Sequence, residues 1–189
     1  MNQVIKKYLF KKSVHKQWIL NSKPNQNKYS FIISIPSYAE HKYIQKTLES
    51  ISNQNNVLLK KTLIIIVINN KINDKNKIIY SNLKTIEIIK LFKNLNIYFV
   101  DAFSRNNALP LKYAGVGLAR KIGFDIGLKF ANENTIFCSL DADTIISKKY
   151  LQSIYEFYNN KNVTSAVINF KHIRSSSKLL NDSIKLYEK

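Results

Sequence analysis

At 189 residues the chain has room for one domain and too few residues for two of ordinary size. Hydrophobic residues make up 45% and charged residues 22%, which excludes global disorder and supplies a sizeable core. The net charge of +18 first suggests an anionic partner, but Lys far outnumbers Arg, with Arg105, Arg120 and Arg174 the only arginines. A nucleic-acid reader draws on arginine for bidentate contacts, so nucleic acid is not the expected partner. Lys, Asn and Ile share A/T-rich codons, which accounts for much of the charge and motivates a bacterial source.

Cys138 is the single cysteine, so no intrachain disulfide can form. It lies in the apolar run Thr135 to Leu140 and is expected to be a small buried hydrophobe. This usage fits a reducing compartment, and a cytoplasmic location is expected, with contact at the inner face of the membrane as an option. No apolar stretch approaches the ~20 residues that span a bilayer. Lys6, Lys7, Lys11 and Lys12 interrupt any signal-peptide core.

In chain order, residues 1–28 read as a basic extension ending in the polar linker Asn21 to Asn27. Val4, Ile5, Tyr8, Leu9, Trp18, Ile19 and Leu20 suit packing on the chain's own domain, the favoured reading, or a helix on an anionic membrane surface. Phe31 to Ile35 is a short β-branched run stopped by Pro36, a buried strand. His41 to Ser52 has Ile44, Leu48 and Ile51 on one helical face. Leu63 to Ile68 is a second strand, ending at Asn69 and Asn70. Lys75 to Phe92 reads as a helix, and Ile97 to Val100 as a third strand ending at Asp101.

Residues 101–115, with Pro110, form a long irregular loop of the kind that contacts ligands. Val116 to Phe130 places Leu118, Ile122, Ile126 and Phe130 at helical spacing. Ile136 to Leu140 is a fourth strand, and Ser147 is the expected N-cap of a helix through Tyr158. Val163 to Phe170 reads as a fifth strand. Residues 171–189 form a polar tail with one short helix. His15, His41 and His172 show no metal-ligand spacing. Alternating strands and helices predict an α/β domain over 29–170, with a mostly parallel sheet flanked by helices. Ligands of such sheets sit beyond the carboxyl ends of the strands.

The informative residues do follow the strands: Pro36-Ser37-Tyr38, Asn69-Asn70, Asp101, and Asp141-Ala142-Asp143. The last group puts two carboxylates two residues apart at a strand exit. They repel, and a cation keeps both ionised. Oxygen ligands suit Mg²⁺ or Mn²⁺, which take one or two carboxylates plus substrate phosphates. The competing reading is a turn in which Asp caps the next helix.

Ile32 to Glu40, followed by Tyr43-Ile44, Thr47-Leu48 and Ser50-Ile51, resembles the opening strand, turn and helix of family 2 glycosyltransferases. Leu63 to Asn70 resembles their second strand, Gly117-Leu118-Ala119-Arg120-Lys121 a later conserved segment, and Asp141-Ala142-Asp143 their DxD motif. The pieces span roughly residues 30 to 170 in the family's order, which is more specific than any one of them. The resemblance implies a GT-A fold and sugar transfer from a UDP- or GDP-linked donor to a glycan or lipid-linked acceptor, usually with inversion. By habit of the family the product belongs to surface polysaccharide or glycoconjugate assembly.

It implies that Pro36, Ser37, Tyr38 and Glu40 contact the nucleoside, with Tyr38 stacking on the base. Asn69 or Asn70 would hydrogen-bond the base. Arg120 would face a phosphate, Asp141 the ribose or metal, and Asp143 the metal and diphosphate. Ala39 replaces the family's usual Asn, and Asn69-Asn70 its usual acidic pair. The acceptor half that normally supplies the catalytic base has no counterpart before Lys189. Glu156, Asp182 and Glu188 are the acidic residues after Asp143, and none is assigned as base. The alternative is therefore a truncated or partner-dependent nucleotide-sugar-binding domain, completed by a C-terminal partner subunit. A haloacid dehalogenase phosphatase would carry its DxD after the first strand, and a Rossmann dehydrogenase needs a G-x-G-x-x-G turn there. Neither pattern is met.

Overall fold

The computed structural model describes residues 3–14, 17–172 and 176–188; His15 and Arg174 lie outside them. The chain divides into one compact unit up to Ile154 and another from Tyr155.

The first unit is built on a four-stranded parallel sheet in the order β3-β2-β1-β4. Its strands are β1 (Phe31–Ser37), β2 (Thr62–Asn69), β3 (Ile97–Ala102) and β4 (Ile136–Ser139). Every residue of β1 and β2 is buried. Both strands are central and covered on two faces, which is why β2 reads as an unbroken aliphatic run and β1 as an apolar run broken by Ser34. The register pairs Phe31 with Thr62 and with Ile136, so β1 and its two neighbours point the same way and open at one end.

The connections are α2 (Ile44–Ser52), the short α3 (Asn56–Lys60), α4 (Asn76–Ile89) and α5 (Val116–Gly127), which runs on as a 3₁₀ turn over Leu128–Phe130. On α2 the expected face of Ile44, Leu48 and Ile51 is fully buried. The helix α3 has no counterpart in the sequence reading. It is one turn long, too short for periodicity, and depends on Asn55 Oδ1 accepting from the N–H groups of Val57 and Leu58. The helix α5 lies close on the sheet because Gly123 and Gly127 face it. A Cβ at Gly123 would meet Ser34 Oγ at 2.1 Å, and one at Gly127 would meet Ile32 Cγ2 at 2.8 Å.

The N-terminal residues belong to this unit. The helix α1 (Gln3–Lys11) buries Leu9, and Trp18 joins the core cluster on β2, β3 and α5. The anchor is Asp125, almost wholly buried on α5. It accepts from Tyr8 Oη and the Val14 N–H, both at 2.8 Å, and from Lys121 Nζ at 2.9 Å. Leu20 bridges Val100, and Asn21 exchanges hydrogen bonds with Phe99, which covers the open edge of β3.

The expected fifth strand over Val163 to Phe170 is not formed: residues 163–170 carry no strand or helix. Val167 is 95% exposed and Phe170 61%. β-branched composition suits a pleated surface, but a strand also needs a neighbour for its N–H and C=O groups, and composition does not reveal one. The expected helix after Ser147 begins at Tyr150, as α6 (Tyr150–Asn160). In the second unit the one short tail helix is α7 (Lys178–Tyr187), capped by Ser177. Among the described residues no helix is long and apolar enough to cross a membrane.

Candidate functional site

The carboxyl ends of the strands open into a cleft of about 600 Å³. After β1 it is lined by Pro36, Tyr38 and Glu40; after β2 by Asn69, Asn70 and Lys71. The start of α5 adds Ala114, Gly115, Val116 and Arg120, and the exit of β4 adds Asp141, Ala142 and Asp143. Eight of the nine residues singled out from sequence thus meet on one surface. Ser37 is the other: it is fully buried at the end of β1 and does not line the cleft.

Parallel topology produces this convergence. Strands in register finish together, and the chain leaves each one at the same edge of the sheet. The turn after β1 contains Ala39 at φ 59, a left-handed conformation uncommon for a residue with a Cβ. It is held from outside, its N–H donating to Asn82 Oδ1 at 3.0 Å.

Two poles of different chemistry result. At the β2 pole stand two amides with partners, Asn69 and Asn70, beside the exposed Lys71. Asn70 Nδ2 donates to the Lys71 carbonyl at 2.7 Å, and Asn70 Oδ1 accepts from Asn82 Nδ2 at 3.2 Å. Asn69, with its amide nitrogen turned inward, donates to the carbonyls of Val67 at 3.2 Å and Ser37 at 3.3 Å. An amide oxygen has two lone pairs and its nitrogen two hydrogens, so Asn70 keeps one of each beyond these bonds. Tyr38 stands half in solvent beside Asp74. Burial first, and then the Asp74 carboxylate, push its phenol above the ordinary range.

At the β4 pole the side chains are charged. Asp141 and Asp143 are exposed, with Ala142 buried between them. The Ala142 carbonyl accepts from Thr47 Oγ1 at 2.8 Å, which ties the loop to α2 and turns both carboxylates outward. Arg120 Nη2 donates to Asp141 Oδ1, while Arg120 Nε is buried and without a partner. Glu40 completes the acidic group. Burial raises its pKa most, followed by repulsion from Asp143 and then Asp141.

Residues capable of holding a divalent cation are therefore Asp141 and Asp143. Among the described residues no group of three or more His, Cys, Asp and Glu is arranged as a metal site. The donor set instead fits a cation that shares its shell with a ligand's phosphates, the habit of Mg²⁺ and its relatives. Glu40 is pushed up by its burial first and by the two neighbouring carboxylates second, and Arg120 offsets part of the negative charge through Asp141.

Asp101, expected just beyond the third strand, lies within β3, which runs on to Ala102, and takes no part in this cleft. Its Oδ1 accepts from the N–H groups of Ser104 at 2.9 Å and Phe103 at 3.1 Å, and its Oδ2 from Asn107 Nδ2 at 3.2 Å. It folds the following loop. That loop then pairs with the end of β2, the Leu109 N–H donating to the Asn70 carbonyl at 2.8 Å, and leads on to Ala114 and Gly115 at the cleft.

Sequence reasoning missed Lys71 and Asn82. Lys71 follows directly on Asn70 and was legible by position. Asn82 lies twelve residues beyond Asn70 in the middle of α4, and its signal was the run of polar residues on the buried face of that helix, Ser81, Asn82 and Thr85.

No family model and no curated protein matches the chain. Two crystal structures do: S. aureus TarS 1–349, and the same protein in complex with UDP-GlcNAc. The chain is 20% identical to each, with TM-scores of 0.48 and 0.46. The overlap takes in 69% of this chain and 32% and 31% of theirs, so the chain spans less than a third of those structures. A likeness at this level carries nothing about chemistry, which rests on the cleft itself.

Proposed function

We propose that the chain is the nucleotide-sugar-binding domain of a GT-A-type glycosyltransferase of family 2 character, working with Mn²⁺ or Mg²⁺. One observation carries the reading: the exits of β1, β2 and β4 and the start of α5 meet in a single cleft, with amides at one pole and two exposed carboxylates at the other. A nucleoside suits the first pole. Tyr38 offers a ring face, and Asn69, Asn70 and the Pro36–Glu40 turn offer polar edges. A diphosphate suits the second. Arg120 sets a fixed positive charge there, with donors left over after its bond to Asp141.

Asp141 and Asp143 hold the cation, which when bound neutralises charge developing on the diphosphate leaving group. The acceptor is a glycan or lipid-linked sugar, transfer proceeds with inversion, and the enzyme works at the cytoplasmic face of a bacterial membrane. The acceptor and the inversion rest on the family resemblance, the bacterial source on the A/T-rich codon bias, and the cytoplasmic location on the single cysteine.

A second reading has its own support. The carboxylates lining the cleft are Glu40, Asp141 and Asp143, all at the cation pole, and a general base must reach the acceptor hydroxyl. Glu188 pairs with His172 at 2.9 Å and Asp182 with Lys185 at 3.4 Å, while Glu156 is exposed on α6. The domain would then bind the donor and need a partner subunit for turnover.

Calorimetric titration with UDP, GDP and their sugar conjugates, with and without Mn²⁺, tests the donor site, with Asp143→Asn as control. The expected result is metal-dependent binding of one nucleotide, lost in the variant. No nucleotide binding under any condition would sink the reading.

A further inference from the structure

Asn82 stands fully buried in the middle of α4, where an amide gains nothing from the helix and must find its partners elsewhere. It finds three, all at the edge of the cleft. Its Oδ1 accepts the Ala39 N–H at 3.0 Å, and its Nδ2 donates at 3.2 Å to both the Asn69 carbonyl and Asn70 Oδ1. Both amide hydrogens are used, and the oxygen faces a backbone N–H, so the orientation of the side chain is fixed by its surroundings.

The three bonds reach two different exits. One holds the turn after β1 at its left-handed residue, and two hold the end of β2. The bond to Asn70 also dictates which way that amide faces. With Oδ1 on Asn82 and Nδ2 on the Lys71 carbonyl, Asn70 has one lone pair and one N–H left, in fixed places. A base read by those two groups must match that order of acceptor and donor, because a reversed order leaves buried polar groups unpaired.

We propose that Asn82 is a positioning and specificity-determining residue of the cleft: it sets the spacing of the β1 and β2 exits and the facing of the Asn70 amide, and through them the choice of nucleotide base. The inference rests on the donor-site reading above and deepens it. Asn82 itself does not line the cleft.

Two variants separate its two connections. Asn82→Ala removes all three bonds. Asn82→Asp keeps an oxygen for the Ala39 N–H but puts an acceptor where two hydrogens were donated, so Asn70 must turn over or withdraw. Hydrogen exchange of the full chain is the first readout. Asn82→Asp is expected to keep protection over residues 36–41 and lose it over 69–72, and Asn82→Ala to lose both, with the interior of β2 unchanged.

The second readout is titration with UDP, GDP and CDP in Mn²⁺. Either variant is expected to bind the preferred nucleotide about 10-fold more weakly, with a narrowed preference among bases. Should Asn82→Ala fail to fold, Asn82→Asp carries the test alone. Wild-type affinity and base preference in a folded variant would overturn the proposal. So would exchange that rises evenly along the chain, the mark of general loosening. A wild-type protein that binds no nucleotide removes both the donor-site reading and this one, and the failure then shows in the control and not in the variant.

Discussion

Asp101 lies in the last two residues of β3 and Glu40 in the turn after β1, and their surroundings differ in sign. Asp101 is wrapped by donors. Burial alone would raise its pKa, but the hydrogen bonds from Ser104, Phe103 and Asn107 together outweigh it and hold the carboxyl below its ordinary range. Glu40 is half-buried among other acids, and burial, then Asp143, then Asp141 push it up. A carboxylate with all its bonds satisfied by its own loop has finished its work in folding. Glu40 is half-buried with acids as its neighbours, and the arginine of the group, Arg120, is bonded to Asp141 and not to it. Position at the end of a strand therefore marks where a site can be, and the electrostatic balance of each side chain marks whether it belongs there.

The largest effect is expected where the satisfied partner is removed. Asp101→Ala leaves the Phe103 and Ser104 N–H groups without their acceptor and frees Asn107. The Asn107 carbonyl accepts Trp18 Nε1 at 2.7 Å, so the loss reaches the core. Charge-assisted hydrogen bonds to a cap of this kind support a cost of about 2–3 kcal/mol in urea unfolding. If Asp101→Ala unfolds at the wild-type midpoint, the loop does not depend on this residue, and the contrast with Glu40 loses its structural half.

The next effect is a pH dependence with opposite signs at the two sites. Asp101 binds its proton less readily folded than unfolded, so its contribution to stability is present above its ordinary value of 3.8 and is lost as pH falls through the folded value. Glu40 binds its proton more readily folded. Its contribution is full below its ordinary value of 4.5 and is lost as pH rises from there through the folded value. Glu40→Gln, which does not titrate, should gain on the wild type in chemical denaturation as pH climbs from that point towards neutrality. Asp101→Asn should differ most from the wild type on the alkaline side of its own window and converge with it in acid. A stability gap between Glu40→Gln and wild type that stays flat with pH would mean that neither burial nor the carboxylates of Asp143 and Asp141 shift Glu40 on folding.

These contrasts explain what could be read from the sequence. The strands β1 and β2 announced themselves because both faces are covered, and the cleft residues followed once the sheet was known to be parallel. The run from Val163 to Phe170 is also rich in β-branched residues and forms no strand, because whether a neighbour exists is a property of the fold and not of the segment. Asn82 and Asp125 were passed over for the complementary reason. Pattern reading sends polar residues on a helix to solvent, whereas these two face inward to partners as far away in sequence as Ala39 and Tyr8. Arg120 and Asp143 were legible through a family pattern; that Arg120 bonds Asp141, and that Glu40 joins the acidic group, required coordinates.

The smallest effect concerns Ala39, where this chain departs from the Asn usual in the family it resembles. Its φ of 59 places a Cβ in the left-handed region. That conformation costs a non-glycine residue about 1–2 kcal/mol, while replacing Ala by Gly returns roughly 0.5–1 kcal/mol of entropy to the unfolded chain. The two oppose, so Ala39→Gly should stabilise the protein by about 0.5 kcal/mol, a shift small but measurable in the urea midpoint. The Asn82 bond to the Ala39 N–H is a backbone contact and survives the change. If Ala39→Gly instead destabilises by more than its entropy can explain, the alanine methyl makes a contact that matters, and the turn is held by packing as well as by Asn82. If the gain appears, the strain in the turn is carried by the amide clasp alone, and the same substitution in an Asn82→Ala background should gain less, because the turn is then free to leave the left-handed region in both forms.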